Sequence, residues 1–74
     1  MRKLDFTSVT KYRDVLKNRH VTRNEHVWGT ENQTIRRTIK DTYVDNGEIK
    51  LHAEFIRRPG RGWVKVNDFT GALQ

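Results

Sequence analysis

A tight turn at Asp45-Asn46-Gly47, followed by a strict alternation of apolar and polar residues, constrains the fold of this chain more than any other feature. From Ile49 to Phe55 the sequence reads Ile, Lys, Leu, His, Ala, Glu, Phe, which is the pattern of a strand with one buried face. Asn-Gly favours hairpin turns because glycine lacks a Cβ and adopts positive φ without steric penalty. The stretch therefore predicts an antiparallel hairpin.

The register of this hairpin follows from its apolar residues. A two-residue loop would place Ile39 and Tyr43 on the face opposite Ile49. A three-residue loop over 45–47 instead pairs Tyr43 with Ile49 and Ile39 with Ala53, so that the apolar groups of both strands share one face. We therefore expect four residues of the second strand to be buried: Ile49, Leu51, Ala53 and Phe55.

The segment before the turn, residues 34–44, has two interpretations. Its apolar residues are spaced four apart, which fits a helix as well as a strand. The branched residues Thr34, Thr38 and Thr42 favour the strand, because they lose rotamer freedom in a helix. In that strand Arg37 and Asp41 interrupt the buried face, and we expect them to lie at its rim or to pair with each other.

A second turn, Arg58-Pro59-Gly60-Arg61, predicts a third strand, because proline fixes φ and glycine allows positive φ. With this loop Ile56 pairs with Trp63 and Phe55 pairs with Val64. Val64 and Val66 then join the buried face, whereas Trp63 lies on the opposite face. Trp63 is either exposed there or covered by the connector or the tail.

The first part of the chain predicts a helix over residues 6–18. Thr7 or Ser8 can cap it, and Val9, Tyr12 and Leu16 fall on one stripe. Residues 19–33 are ambiguous. They contain a capping-box pattern from Thr22 to Glu25 that suggests a short helical turn, and an extended strand from Val21 to Trp28 is the alternative. We expect Trp28 to pack over one end of the sheet as a core residue.

These elements predict an α+β fold in which an N-terminal helix packs on a three-stranded antiparallel β-meander. Residues 1–74 form a single small basic domain, and we expect the last few residues to be disordered. Because hydrophobic residues make up only 34% of the chain, the buried layer must be thin, and dimerisation would help to complete it.

The charge of the chain points to a partner. Fifteen Lys and Arg against nine Asp and Glu give a net charge of +6, which favours association with polyanions and acidic protein surfaces. There is no cysteine and no apolar run long enough to span a bilayer, so we expect no disulfide and no membrane partner. The start lacks the apolar core of a signal peptide, and a cytoplasmic protein is predicted.

Enzymatic motifs are missing from the sequence. The histidines His20, His26 and His52 have no metal-ligand spacing, and there is no phosphate loop or nucleophile elbow. A small basic ribonuclease could use His52 and Lys50 with an arginine, although no spacing selects them. We therefore predict a protein that is not an enzyme, with no catalytic residues, metal or cofactor.

Binding residues are predicted around the second turn. Arginine and tryptophan together suit both protein hot spots and base stacking with phosphate contact, so the ligand is an acidic protein surface or, alternatively, DNA or RNA. The predicted partner-binding residues are Arg57, Arg58, Arg61, Trp63, Lys65 and Lys50. A secondary basic group on the first strand of the hairpin consists of Arg36, Arg37 and Lys40.

In length, charge and layout, the chain resembles small phage-encoded regulators of host transcription. The likeness lies in a basic, cysteine-free domain of this size with one helix and a β-hairpin, and it assigns no functional residue. The resemblance implies a non-enzymatic protein that binds host RNA polymerase in the host cytoplasm and alters transcription.

Overall fold

The protein is a single five-stranded antiparallel sheet. The computed structural model describes residues 4–70, apart from the side chain of Glu31. The strands follow one another across the sheet in chain order, and a 3-10 turn, Glu31–Gln33, links the second to the third. The strands are β1 (Asp5–Asp14), β2 (Arg19–Gly29), β3 (Ile35–Tyr43), β4 (Ile49–Arg57) and β5 (Val64–Asp68).

The predicted α+β class is wrong, because residues 6–18 form most of β1 and the following turn instead of a helix. β1 pairs with β2 along its whole length, with Tyr12 opposite Val21. Branched residues such as Thr7, Val9 and Thr10 disfavour a helix. The apolar residues that were expected to form the buried stripe of this helix are not all buried. Val9 is exposed on β1, and Leu16, in the turn, is 98% exposed.

Residues 19–33, which the sequence left ambiguous, contain the extended strand that was the alternative interpretation. β2 lies between β1 and β3, and Val21 pairs with Tyr43 on the β3 side. Trp28 is half-buried on the face opposite most of the buried residues, where its ring stacks on His26 at 4.6 Å between centroids. It is therefore not the core residue that was expected.

The two faces of the sheet differ in burial. We call the face that carries Val21, Val27, Ile39, Tyr43 and Ala53, all buried, the core face, and the opposite one the outer face. The sheet curls towards the core face. The evidence is a contact of 3.1 Å between Nζ of Lys50 on β4 and Oη of Tyr12 on β1, although three strand spacings of about 4.8 Å separate these strands.

The hairpin between β3 and β4 is predicted correctly in the middle of its register and wrongly at its turn. Ile39 pairs with Ala53, and Gly47 takes a positive φ of 75°, as expected. The register then shifts at Asp41/Thr42, so that Ile49 lies opposite Thr42 instead of Tyr43. Of the four residues expected to be buried, Ala53 is buried, whereas Ile49, Leu51 and Phe55 are half-buried.

The hairpin between β4 and β5 turns where it was predicted, and Gly60 has a φ of 75°. Its register is different, because Ile56 pairs with Val64 and a shift follows at Glu54/Phe55. Val64 and Val66 are consequently exposed instead of buried, and Ile56 is buried on the outer face.

The expected disorder of the last few residues concerns residues 71–74, which lie outside the described part of the chain. Between residues 4 and 70 there is no helix with the length and apolar character needed to cross a membrane.

Candidate functional site

The core face holds a carboxylate that sequence reasoning assigned to a rim. Asp41 is 1% exposed, and it accepts two hydrogen bonds from Arg23, Nε to Oδ1 at 2.9 Å and Nη2 to Oδ2 at 3.0 Å. The hydroxyl of Tyr12 donates a third, at 2.8 Å. Asp41 therefore pairs with Arg23 and not with Arg37, and its hydrogen bond raises the pKa of Arg23 above its already high ordinary value.

A second buried carboxylate continues this network. Asp14 accepts a hydrogen bond from the hydroxyl of Tyr43 at 3.0 Å, and Nζ of Lys50 lies 3.1 Å from its Oδ2. Burial raises the pKa of Asp14, but the hydrogen bonds from Lys50, Tyr43 and the backbone of Lys17 outweigh it and hold the pKa below 3.8. The carboxylates of Asp14 and Asp41 thus both have hydrogen-bond donors on the core face, although Nε of Arg19, also buried there, has no hydrogen-bond partner among the described residues.

Lys50 therefore does not belong to the predicted partner-binding group. The register shift beside Asp41 breaks the alternation of β4, so that Lys50 reaches the core face, where its hydrogen bond to Tyr12 and its contact with Asp14 raise its pKa. His52 is on the outer face, where it pairs with Lys40 and its ring lies 5.2 Å from that of Phe69. The proposed ribonuclease pair of His52 and Lys50 is thus split between the two faces.

The turn between β4 and β5 presents the other predicted cations. We call Arg57, Arg58, Arg61 and Trp63 the arginine turn. All four are exposed, with Trp63 at 38%. None of the three arginines forms an ion pair with a carboxylate in the part of the chain that the structure describes.

Trp63 lies on the side of the core face, and not on the opposite face as predicted. The guanidinium of Arg37, a core-face residue, is 5.6 Å from the centre of its ring, and that of Arg57 is 6.0 Å away. The register of β5 explains the difference, because Val64 instead of Trp63 pairs with Ile56. The ring of Trp63 thus makes a cation–π contact with Arg57, which has no ion-pair partner among the described residues.

Lys65 lies beside the arginine turn but is neutralised. Its Nζ is 3.0 Å from Oδ2 of Asp68. Hydrogen bonds from Thr70 and Lys65 lower the pKa of Asp68 to about 2. Lys65 therefore remains a member of the predicted group by position, with less charge available to a partner.

The predicted secondary basic group is divided between the faces of β3. Arg36, on the outer face, is 2.9 Å from Glu54, and hydrogen bonds from Asn67 and Arg36 lower the pKa of that carboxyl. Arg37, on the core face, pairs with Glu25. Lys40 is exposed on the outer face.

Further cations without an ion-pair partner lie in the segment that was predicted to be a helix, and sequence reasoning did not assign them to a site. Lys11 and Arg13 of β1 face outwards like Lys40, and Lys17 lies in the turn that follows. Among residues 4–70 none of these four makes an ion pair, and Arg13 donates to the side chain of Asn18 at 2.5 Å. Alternation in β1 could have revealed the shared face of Lys11 and Arg13, had the segment been interpreted as a strand.

A shallow cleft of about 320 Å³ adjoins the arginine turn. Gln33 of the β2–β3 connection and Ile35, the first residue of β3, line one side, and residues 57–60 line the other. Within the described residues, no cluster of His, Asp or Glu could hold a metal ion. The arrangement therefore offers cationic and aromatic contacts for an anionic ligand.

No protein-family model matches the chain, and no significant similarity is found to a curated protein or to a solved structure.

Proposed function

We propose that the protein is a non-enzymatic binding module whose arginine turn docks on an acidic surface of a partner protein. The observation that carries this proposal is that Arg57, Arg58 and Arg61 have no ion-pair partner among the described residues, whose carboxylates are largely paired with other cations, and that Arg57 lies over the ring of Trp63. An arginine that no intramolecular carboxylate neutralises retains its full charge for a partner.

The turn is also organised for binding. Gly60 and the hydrogen bond from the amide of Arg61 to the carbonyl of Arg58, at 3.0 Å, fix the backbone of the loop. Trp63 positions the guanidinium of Arg57 without neutralising it. Less side-chain entropy is therefore lost when a partner binds.

Exposed apolar side chains beside the turn favour a protein partner over nucleic acid. Val64, Val66 and Phe69 are all exposed on or next to β5. Protein interfaces combine Trp and Arg anchors with such apolar surface. A phosphate backbone is instead contacted by charged and hydrogen-bonding groups, so apolar side chains contribute little to its binding. β5 is moreover an edge strand, whose outer side is open to another chain.

The class of partner comes from the resemblance in size, charge and lack of cysteine to phage-encoded regulators of host transcription, since the helix that was part of the resemblance is a strand in the structure. On that basis we propose RNA polymerase, or another component of the transcription machinery, in the host cytoplasm. The acidic surface of such a component would meet the arginine turn, with its carboxylates entering the cleft beside Arg57 and Arg58.

A pull-down from nuclease-treated host lysate tests the proposal, with bound proteins identified by mass spectrometry. The wild type is expected to retain a transcription component, and Arg58→Glu with Arg61→Glu is expected to lose it. Both residues are exposed at a turn, so the melting temperature should hardly change.

The matched control is Lys11→Glu with Lys40→Glu, which changes the net charge equally on the outer face. This variant is expected to bind the partner like the wild type. Equal loss of binding in the two double variants would contradict a site at the turn, and loss of the wild-type complex after nuclease treatment would contradict a protein partner.

A further inference from the structure

One half of the outer face carries cations and hydroxyl or amide side chains beside the exposed Val9, without a carboxylate among the described residues. Lys11 and Arg13 lie on β1, and Lys40 lies on β3. The acids of this face lie elsewhere, Asp5 against His26 at 2.8 Å and Glu54 against Arg36. We call this half the outer-face basic patch, and its members are Lys11, Arg13, His20, Thr22, Asn24 and Lys40.

The strand register fixes the spacing of these cations. Lys11 and Arg13 are two residues apart on one face, which is about 7 Å along the strand. Lys11 pairs with Thr22 while Lys40 pairs with Asn24, so Lys11 and Lys40 are offset by two strand spacings, about 10 Å, across the sheet and by two residues, about 7 Å, along it. The three charges are therefore separate enough to contact different phosphates of one backbone.

We propose that the outer-face basic patch binds the phosphate backbone of duplex DNA independently of sequence. Lysine, arginine, threonine and asparagine are the side chains that contact phosphates in protein–DNA complexes. The charge complementarity is strong, because Lys11, Arg13 and Lys40 form no ion pair within the described part of the chain.

The composition of the patch selects this ligand over others. It contains no Phe, Tyr or Trp on which the bases of a single strand could stack, and stacking supplies much of the affinity for single strands. It also lacks the Trp or Tyr anchor of a protein hot spot, which the arginine turn possesses. The two surfaces therefore differ in the ligand that each one suits.

Fluorescence anisotropy with a labelled duplex DNA of mixed sequence, measured over a series of salt concentrations, tests the proposal. Three phosphate contacts predict a log–log slope of about −2.7 for the wild type. Lys11→Gln with Lys40→Gln is expected to reduce the magnitude of the slope by about two and to weaken binding equally for a scrambled duplex. Circular dichroism should show unchanged folding, because both side chains are exposed.

Arg58→Gln with Arg61→Gln is the matched control, since it removes the same charge from the arginine turn. It should leave the slope unchanged. An equal reduction in both variants would overturn the assignment to the outer face, as would a wild-type slope near zero. Tighter binding to a single strand of the same sequence would overturn the choice of duplex. None of these results depends on the pull-down that tests the protein partner.

Discussion

The two faces of this sheet both carry cations, but they use them differently. On the core face, Arg23, Arg37 and Lys50 each pair with a carboxylate, and two of those carboxylates, Asp41 and Asp14, are buried. On the outer face Arg36 pairs with Glu54, but Lys11 and Lys40 are exposed, and neither pairs with an acid of the described chain.

The difference shows that the net charge of +6 does not describe how the individual cations of this protein are used, because some are paired with carboxylates and others are not. A small sheet has few apolar residues to bury, and the core face supplements them with a hydrogen-bonded network of Tyr12, Asp41 and Arg23. Among the described residues, the cations that remain unpaired lie on the outer face, at the arginine turn and, for Lys17, in the turn after β1, and these are the ones that can meet a ligand.

Removing Asp41 should give the largest effect. Asp41→Ala leaves Arg23 and the hydroxyl of Tyr12 without their acceptor, and we expect a loss of about 3 kcal/mol in the free energy of unfolding. Urea denaturation measures this loss. The adjacent substitution Lys40→Ala, on the outer face, should change stability by less than about 0.5 kcal/mol. Similar losses in the two variants would show that the faces do not differ as described.

Trp63→Ala should have an intermediate effect that separates binding from folding. The ring contacts Arg37 and Arg57 in a half-exposed setting, so unfolding should become easier by about 1 kcal/mol. As an anchor of the arginine turn, Trp63 should contribute about 2 kcal/mol or more to partner binding. Calorimetry and thermal melts of one variant give both quantities.

Trp28→Ala provides the comparison for Trp63. Trp28 stacks on His26 on the outer face, whereas Trp63 lies on the side of the core face, so loss of Trp28 should affect folding and leave partner binding unchanged. A loss of partner binding in this variant that equals the loss in Trp63→Ala would remove Trp63 from the site.

The smallest effect is expected in the pH dependence of stability. The pKa of Asp14 lies below 3.8 in the folded protein, so its ionised form stabilises the fold above that pH, and this contribution is lost as the pH falls through the folded value. Asp45 and Asp68, whose pKa values are also lowered, contribute in the same direction. Asp14→Asn and Lys50→Met should therefore both flatten the fall of melting temperature below pH 3.8. Curves parallel to that of the wild type would contradict a role for this pair.

Turn chemistry explains the parts of the fold that the sequence predicted. Gly47 and Gly60 both adopt positive φ in the loops where they were expected, and the strands on either side of each loop exist. The pairing of Ile39 with Ala53 was also predicted correctly, since alternation leaves one register in which the apolar groups meet.

The candidate site was predicted only in part, because its members depend on strand register. The clustering of Arg57, Arg58 and Arg61 at a turn was predicted from composition, but Lys50, which was expected on the same surface, lies on the core face, and Arg37 was assigned to another group. A single register shift places Lys50 on the core face, and a one-residue difference in the pairing of β5 brings Trp63 next to Arg37. Such shifts have no clear sequence signal, since they depend on how neighbouring strands fit.

The sequence by itself determined the two turns and the strand character of β4, which depend on neighbouring residues, and the excess of positive charge, which depends on composition alone. Only the tertiary structure decided that residues 6–14 belong to a strand, because the hydroxyl of Tyr12 meets its partner Asp41 across the sheet, 29 positions away in the chain. It likewise decided which cations are neutralised, since an ion pair such as Arg23 with Asp41 forms only when the strands align. Local preferences cannot fix either result, because the free energy that selects them comes from pairing between distant segments.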